Sequence, residues 1–158
     1  MPAQISDTFK NALSKNPGTY ILCLKLNQTT QVMIGKLGNF NFKPGYYYYV
    51  GSAFGPGGIQ ARCGHHIKIA ARPRWHIDYL RQHCILHQIL YSDDSDHLEH
   101  RWADWLSAIT NITIPIPDFG SSDCQCTSHL FFSRENISAL LLDSNKTISS
   151  VLNPSEIS

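Results

Sequence analysis

Long apolar runs are missing from this sequence. None approaches the roughly 20 residues a bilayer-spanning helix needs. The first sixteen residues, with Ser6, Asp7, Lys10 and Lys15 among them, lack the apolar core of a secretory leader. A charge excess is missing too: thirteen basic against twelve acidic residues leave +1. That excludes a uniformly basic surface, so any phosphate-binding surface has to be local. Paired cysteines are also absent. Five at irregular spacing cannot form a disulfide framework, and they read as reduced thiols of a cytoplasmic protein. No internal repeat is found. What is present is an ordinary globular balance, 42 % apolar and 16 % charged over 158 residues. That suffices for one domain with its own core.

Patterning gives the expected elements. Ser6 to Leu13 reads as a short helix, with Phe9, Ala12 and Leu13 on one face. Thr19 to Leu26 alternates as a strand: Tyr20, Leu22, Leu24 and Leu26 on one side, Ile21, Cys23 and Lys25 on the other. Asn27 to Thr30 is turn-like, and Gln31 to Ile34 suggests a second strand of a hairpin. Gly35 to Gly45 must hold turns or a bulge, and Tyr46 to Gly51 is a β-favouring aromatic run. Helices are expected over Ile59 to Ala71, ended by Pro73, and over His76 to Gln82. Ile85 to Tyr91 reads as a strand, and Asp96 to Ile109 is the strongest helix pattern in the chain. After a loop from Pro115 to Cys126 come a strand at Leu130 to Phe132 and a helix at Glu135 to Leu142. The expected division is an N-terminal extension over 1–17, a domain over 18–142, and a polar flexible tail over 143–158. Strands first and helices later imply an α+β fold, with a small antiparallel or mixed central sheet flanked by helices.

Candidate chemistry is scattered. Gly18-Thr19-Tyr20 opens the first strand and Tyr49-Val50-Gly51 closes the third, so two phenols would share a sheet face if the strands are neighbours. Both glycines would let a ligand or another backbone come close. Equally, both tyrosines could be half-buried strand aromatics. Arg62 has His65 and His66 three and four residues on, a spacing that shares a helix face and suits a phosphate; a solvated face is the plainer explanation. Gly64 inside that helix calls for a close approach or a kink. Glu99 is either the second member of a capping box with Asp96 or a carboxylate holding a magnesium ion. In Trp75-His76-Ile77-Asp78, the His-Asp spacing is wrong for a dyad on a helix. Asp78 is more easily a cap or the partner of an arginine.

Taken together and in order, these residues resemble the GIY-YIG nuclease superfamily. The segment Gly51-Ser52-Ala53-Phe54-Gly55-Pro56-Gly57-Gly58, the block Trp75 to Leu80 and the block Phe119 to Leu130 look like its Uri-type branch. The resemblance spans about Gly18 to Phe132. It implies a metal-dependent endonuclease acting on DNA, branched or damaged DNA among the candidate substrates, and a DNA-repair enzyme as a possible partner. It implies Tyr20, Tyr49, Arg62, His66 and Glu99 as catalytic residues, with Gly51, Ser52, His65 and His76 binding substrate. Glu99 would hold one Mg²⁺ or Mn²⁺. Tyr20 and Tyr49 lie farther apart in the chain than is typical of the superfamily.

A free phenol has a pKa of about 10, so only about one part in a thousand is tyrosinate at pH 7, and lowering that pKa by about 3 units takes about 4 kcal/mol. Arg62 and a cation are the expected means. Cys124, Cys126 and His129 could instead hold structural zinc, although their spacing is unlike the usual pairs; a packing turn or a nucleic-acid contact are the other readings of that loop. A non-cleaving nucleic-acid-binding module of the same fold, and a zinc-stabilised interaction domain, are the alternatives to an enzyme.

Overall fold

Period-two alternation decides the centre of the molecule. In β1 (Gly18–Leu26) every residue but Lys25 is buried, with Tyr20, Leu22, Leu24 and Leu26 in one apolar cluster and Ile21 and Cys23 in the other. A strand buried on both faces belongs inside a sheet. The computed structural model, which describes residues 3–121 and 126–156, places it there. β4 (Gly45–Ala53) and β5 (Ile85–Ser92) flank β1, and β6 (Leu130–Ser133) and β7 (Ser149–Leu152) form the edges. Every pairing is antiparallel. On the Tyr20 face lie α1 (Ala3–Asn11), α2 (Gly58–Ile67) and α3 (His76–Arg81); on the other lie α4 (Glu99–Ser107) and α5 (Ser138–Ser144). The fold is α+β, as expected. Among the described residues no helix is long and apolar enough to cross a membrane.

The N-terminal extension is part of the packed body. Phe9 is fully buried, which contributes about 2 kcal/mol toward holding α1 in place. Gly64 explains itself here. A Cβ at that position would lie 2.9 Å from Lys10 Cε, so the missing side chain lets the lysine stem of α1 cross α2.

Four expectations need correction. The hairpin partner of β2 (Thr30–Ile34) is not β1 but β3 (Gly38–Phe42), because both edges of β1 are already occupied by β4 and β5. This separate two-stranded ribbon fills the long stretch between Tyr20 and Tyr49. Second, α2 stops at Ile67 rather than Ala71. The buried Arg81 donates from Nε to His66 O at 2.6 Å and from one terminal nitrogen to Ile67 O at 3.0 Å, satisfying carbonyls that a longer helix would use. Third, α4 begins at Glu99, not Asp96, and Asp96 makes no cap; its carboxylate lies 3.7 Å from Arg101 instead.

The fourth correction concerns the tail. Residues 149–152 pair with β5, and Asn153, buried, donates from Nδ2 to Leu86 O at 2.7 Å. Sheet pairing, with Ile148 buried in the core and Val151 packed against it, anchors this segment, so its largely polar composition misled. Asn153→Ala is expected to lower unfolding free energy by about 1–2 kcal/mol, the cost of a buried carbonyl left without its donor. Urea denaturation measures this, and an unchanged midpoint would mean that the tail adds nothing to stability.

Candidate active site

The site forms at the end of the sheet where β1 begins and β4 finishes. Tyr20 stands opposite Gly51 in the register. A Cβ on residue 51 would lie 2.4 Å from Tyr20 Oη, so the glycine is there to let the phenol lie across the strand. Of the two roles expected for Gly18 and Gly51, close approach of another backbone holds at Gly18, which the Ser92 carbonyl closely approaches. Tyr49 lies on the same face, its ring centroid 6.5 Å from that of Tyr20. On α2, one turn apart, come Arg62 and His66. Glu99 arrives from the opposite layer as the first residue of α4.

Tyr20, Tyr49, Gly51, Ser52, Arg62 and Glu99 line one cavity of about 290 Å³, with Trp75, His100 and Gly120 completing its wall. Arg62 stacks its guanidinium 4.4 Å from the Trp75 ring centroid, a contact that holds a flexible side chain in one orientation. A larger concavity of about 750 Å³ opens between the β2–β3 ribbon and the approach to α5. It gathers no comparable set of groups.

Three expected site histidines stand behind this cavity rather than in it. His66 is buried, and its Nε2 lies 2.7 Å from Tyr20 Oη. His65 donates from Nε2 to Asp78 Oδ1 at 3.0 Å. His76 accepts the Gly120 N–H at its Nδ1, 2.9 Å away, and so pins the loop before β6. Asp78 does serve as a helix cap, its Oδ2 accepting the backbone N–H groups of Arg74 and Trp75 at 2.8 and 3.0 Å. Of the zinc candidates, Cys124 lies outside the described residues. Cys126 Sγ sits 3.1 Å from His100 Nδ1, whereas His129, fully buried, donates from Nδ1 to Glu99 Oε1 at 2.9 Å. His129 as the anchor of Glu99 had no sequence signal, since the two residues are thirty apart in the chain.

Burial dominates the electrostatics. It raises the Tyr20 phenol well above its ordinary pKa, Tyr49 and Cys63 add to the rise, and Arg62, within hydrogen-bonding reach of the oxygen, opposes it without prevailing. Tyr49 is raised by burial and by the Glu99 charge, again against Arg62. The arginine alone therefore does not make a tyrosinate; both phenols are neutral. Burial pushes His66 down to about 3, with Asp78 opposing, so its imidazole is neutral at pH 7. Tyr20 Oη and His66 Nε2 share one hydrogen bond whose direction follows the imidazole tautomer. Glu99 is different. Burial raises it, but the hydrogen bonds from His129 and Ser52 outweigh that and hold it below the usual carboxylate range. It is ionised.

The depressed His66 has a measurable consequence. Its folded pKa lies below its unfolded value of about 6.5, so between those values the unfolded chain binds the extra proton, and stability falls with pH. Unfolding free energy in chelator-containing buffer should drop by up to about 1.4 kcal/mol per pH unit as pH falls below about 6. His76, lowered by burial, acts with the same sign. His66→Gln should flatten most of the slope between about pH 6 and 4.5, above the range where Glu99 and Asp78 titrate. Denaturant titrations across that range measure it.

Residues 19–150 match a family described as a domain of unknown function, DUF123, and the chain belongs to that family. Neither curated proteins nor solved structures yield a match.

Proposed function

We propose that the chain is a metal-dependent endonuclease of the GIY-YIG superfamily, of its Uri-type branch, hydrolysing phosphodiester bonds in DNA. The observation that carries the reading is the convergence of Tyr20, Tyr49, Arg62 and Glu99 on one cavity of about 290 Å³. Arg62 offers the scissile phosphate a planar fork of donors, already oriented by Trp75. An ionised Glu99 beside the Ser52 hydroxyl is a hard-oxygen donor set. It fits Mg²⁺ or Mn²⁺, which commonly bind through one or two carboxylates plus water and substrate phosphates. Such an ion supplies Lewis-acid stabilisation of charge developing on the phosphate.

Tyr20 takes a proton from the attacking water while passing its own to His66 Nε2, 2.7 Å away. No free tyrosinate has to accumulate, which suits a phenol raised by burial. Asp78, with Oδ1 3.9 Å from His66 Nδ1, stabilises the imidazolium that forms. Tyr49, neutral, donates a hydrogen bond to a phosphate oxygen. The loop between α2 and α3 carries exposed Lys68, Arg72 and Arg74. This is the local positive charge that a chain of net +1 needs for a polyanion. A cytoplasmic setting goes with the reading, supported by free thiols at Cys23, Cys63 and Cys84.

The test is nicking of supercoiled, branched and single-stranded DNA with Mg²⁺, Mn²⁺ or chelator. Metal-dependent cleavage that falls by about a hundredfold or more in Tyr20→Phe supports the proposal, the scale expected for loss of a general base. The raised phenols favour one second reading, a nucleic-acid-binding module that does not cleave. Metal-independent binding with no nicking of any substrate would establish that reading instead.

A further inference from the structure

Behind Tyr20, three side chains converge that the hydrolytic reading uses only in part. His65 and His66 sit in the last turn of α2, and Asp78 sits in the first turn of α3. One nitrogen of each histidine and one oxygen of Asp78 lie within 4.8 Å of one another. His65 Nε2 and Asp78 Oδ1 are 3.0 Å apart, but His66 Nδ1 is 3.9 Å from that oxygen, too far for a hydrogen bond. His66 is 1 % exposed and its Nδ1 has no partner. A buried ring nitrogen aimed into a cluster of ligand-type atoms, with nothing to bond, is the feature that calls for an occupant.

We propose that His65 Nε2, His66 Nδ1 and Asp78 Oδ1 form a binding site for a transition-metal ion of the zinc class, separate from the cation site at Glu99. Two imidazoles and one carboxylate are a three-ligand set that leaves a fourth tetrahedral position open. Nitrogen donors of this kind select zinc, cobalt or nickel over magnesium and calcium. The surroundings are built for it. Asp78 Oδ2 is held by two backbone N–H groups, which leaves Oδ1 for the ion. Arg81 ties the end of α2 to α3, so both histidines keep their positions relative to Asp78. Trp75 packs its ring against His65 at 4.9 Å and shields the cluster. Such outer partners orient ligands before the ion arrives.

Binding would change the chemistry next door. An ion on Nδ1 of His66 requires that ring's proton to sit on Nε2. In the bond to Tyr20, 2.7 Å long, the imidazole is then the donor, and His66 can no longer take the Tyr20 proton. An occupied site therefore blocks the Tyr20–His66 relay, a consequence that rests on the nuclease reading, whereas the binding itself does not.

Isothermal titration of the full chelator-treated chain with Zn²⁺, and the visible spectrum with Co²⁺, test the site without any DNA. One ion per chain is expected, with affinity reduced at least about tenfold in His65→Ala and in Asp78→Asn, as for loss of a metal ligand or its support. Glu99→Gln and Cys126→Ser should bind as the parent does. His65 is partly exposed, so its variant is expected to fold as judged by circular dichroism, and it decides the matter even where Asp78→Asn does not fold. No zinc bound by the parent, zinc retained by His65→Ala, or zinc lost from Glu99→Gln would each overturn the proposal. None of these readouts depends on cleavage, so a failed nuclease assay leaves them intact.

Discussion

Glu99→Gln should lower metal-dependent nicking by about a thousandfold while leaving the chain folded. About 4 kcal/mol of transition-state stabilisation corresponds to three orders of magnitude, a reasonable share for a bound cation facing developing charge. The substitution keeps the shape and leaves an oxygen able to accept from His129 Nδ1, 2.9 Å away in the parent. Only the charge goes. The alternative role for this residue, a capping partner of Asp96, is not what it does: α4 starts at Glu99 itself and Asp96 turns to Arg101. Initial rates at several Mg²⁺ concentrations, with thermal unfolding as the fold control, measure the effect. A variant that nicks at the parental rate would remove Glu99 from the machinery.

Gly51→Ala is expected to cost about a hundredfold in cleavage and on the order of 1–3 kcal/mol in stability. The new methyl would lie 2.4 Å from both Oη and Cζ of Tyr20, distances no relaxed pair of atoms holds. The ring has to move, and overpacking of this kind carries that stability cost. A reacting group misplaced by about 1 Å loses about two orders of magnitude in rate. Because the damage acts through the phenol, Gly51→Ala should add little further loss of activity in a Tyr20→Phe background, a non-additivity expected of groups in contact. Full additivity would place the glycine's role elsewhere. Rates for the two single variants and the double variant, with urea midpoints, complete the cycle.

Much of this arrangement was legible in the chain. The alternation in β1 named both of its faces correctly, and the aromatic run in β4 was placed within a residue or two at each end. Tyr20, Tyr49, Arg62 and Glu99 were each selected as candidates, and all four line the same cavity. The histidines were selected too, but they stand behind the cavity rather than in its lining. One-turn spacing puts Arg62 and His66 on a shared face of α2; it does not say that burial will turn the imidazole toward Tyr20 and away from solvent. Two strands were not legible. β3 contains Gly38, Asn39 and Asn41, poor strand formers, and is held by β2. β7 is mostly exposed and polar, held by hydrogen bonds to β5 that no local pattern announces.

By itself, then, the sequence determined what repeats over a few residues: which strands alternate, which helices carry an apolar stripe, and which reactive side chains are available. Period and propensity are local properties, and they survive without knowledge of neighbours. Only the tertiary structure decided which groups meet. It set His129 against Glu99, His66 behind Tyr20, and Arg81 across the end of α2. Those contacts join residues fifteen to forty-six positions apart, and they depend on antiparallel pairing that brings the start of β1 beside the end of β4. Burial then set the protonation of Tyr20, Tyr49 and His66, and hydrogen bonds from His129 and Ser52 set that of Glu99, because the cost of removing a charge from water depends on the finished packing and not on the order of residues.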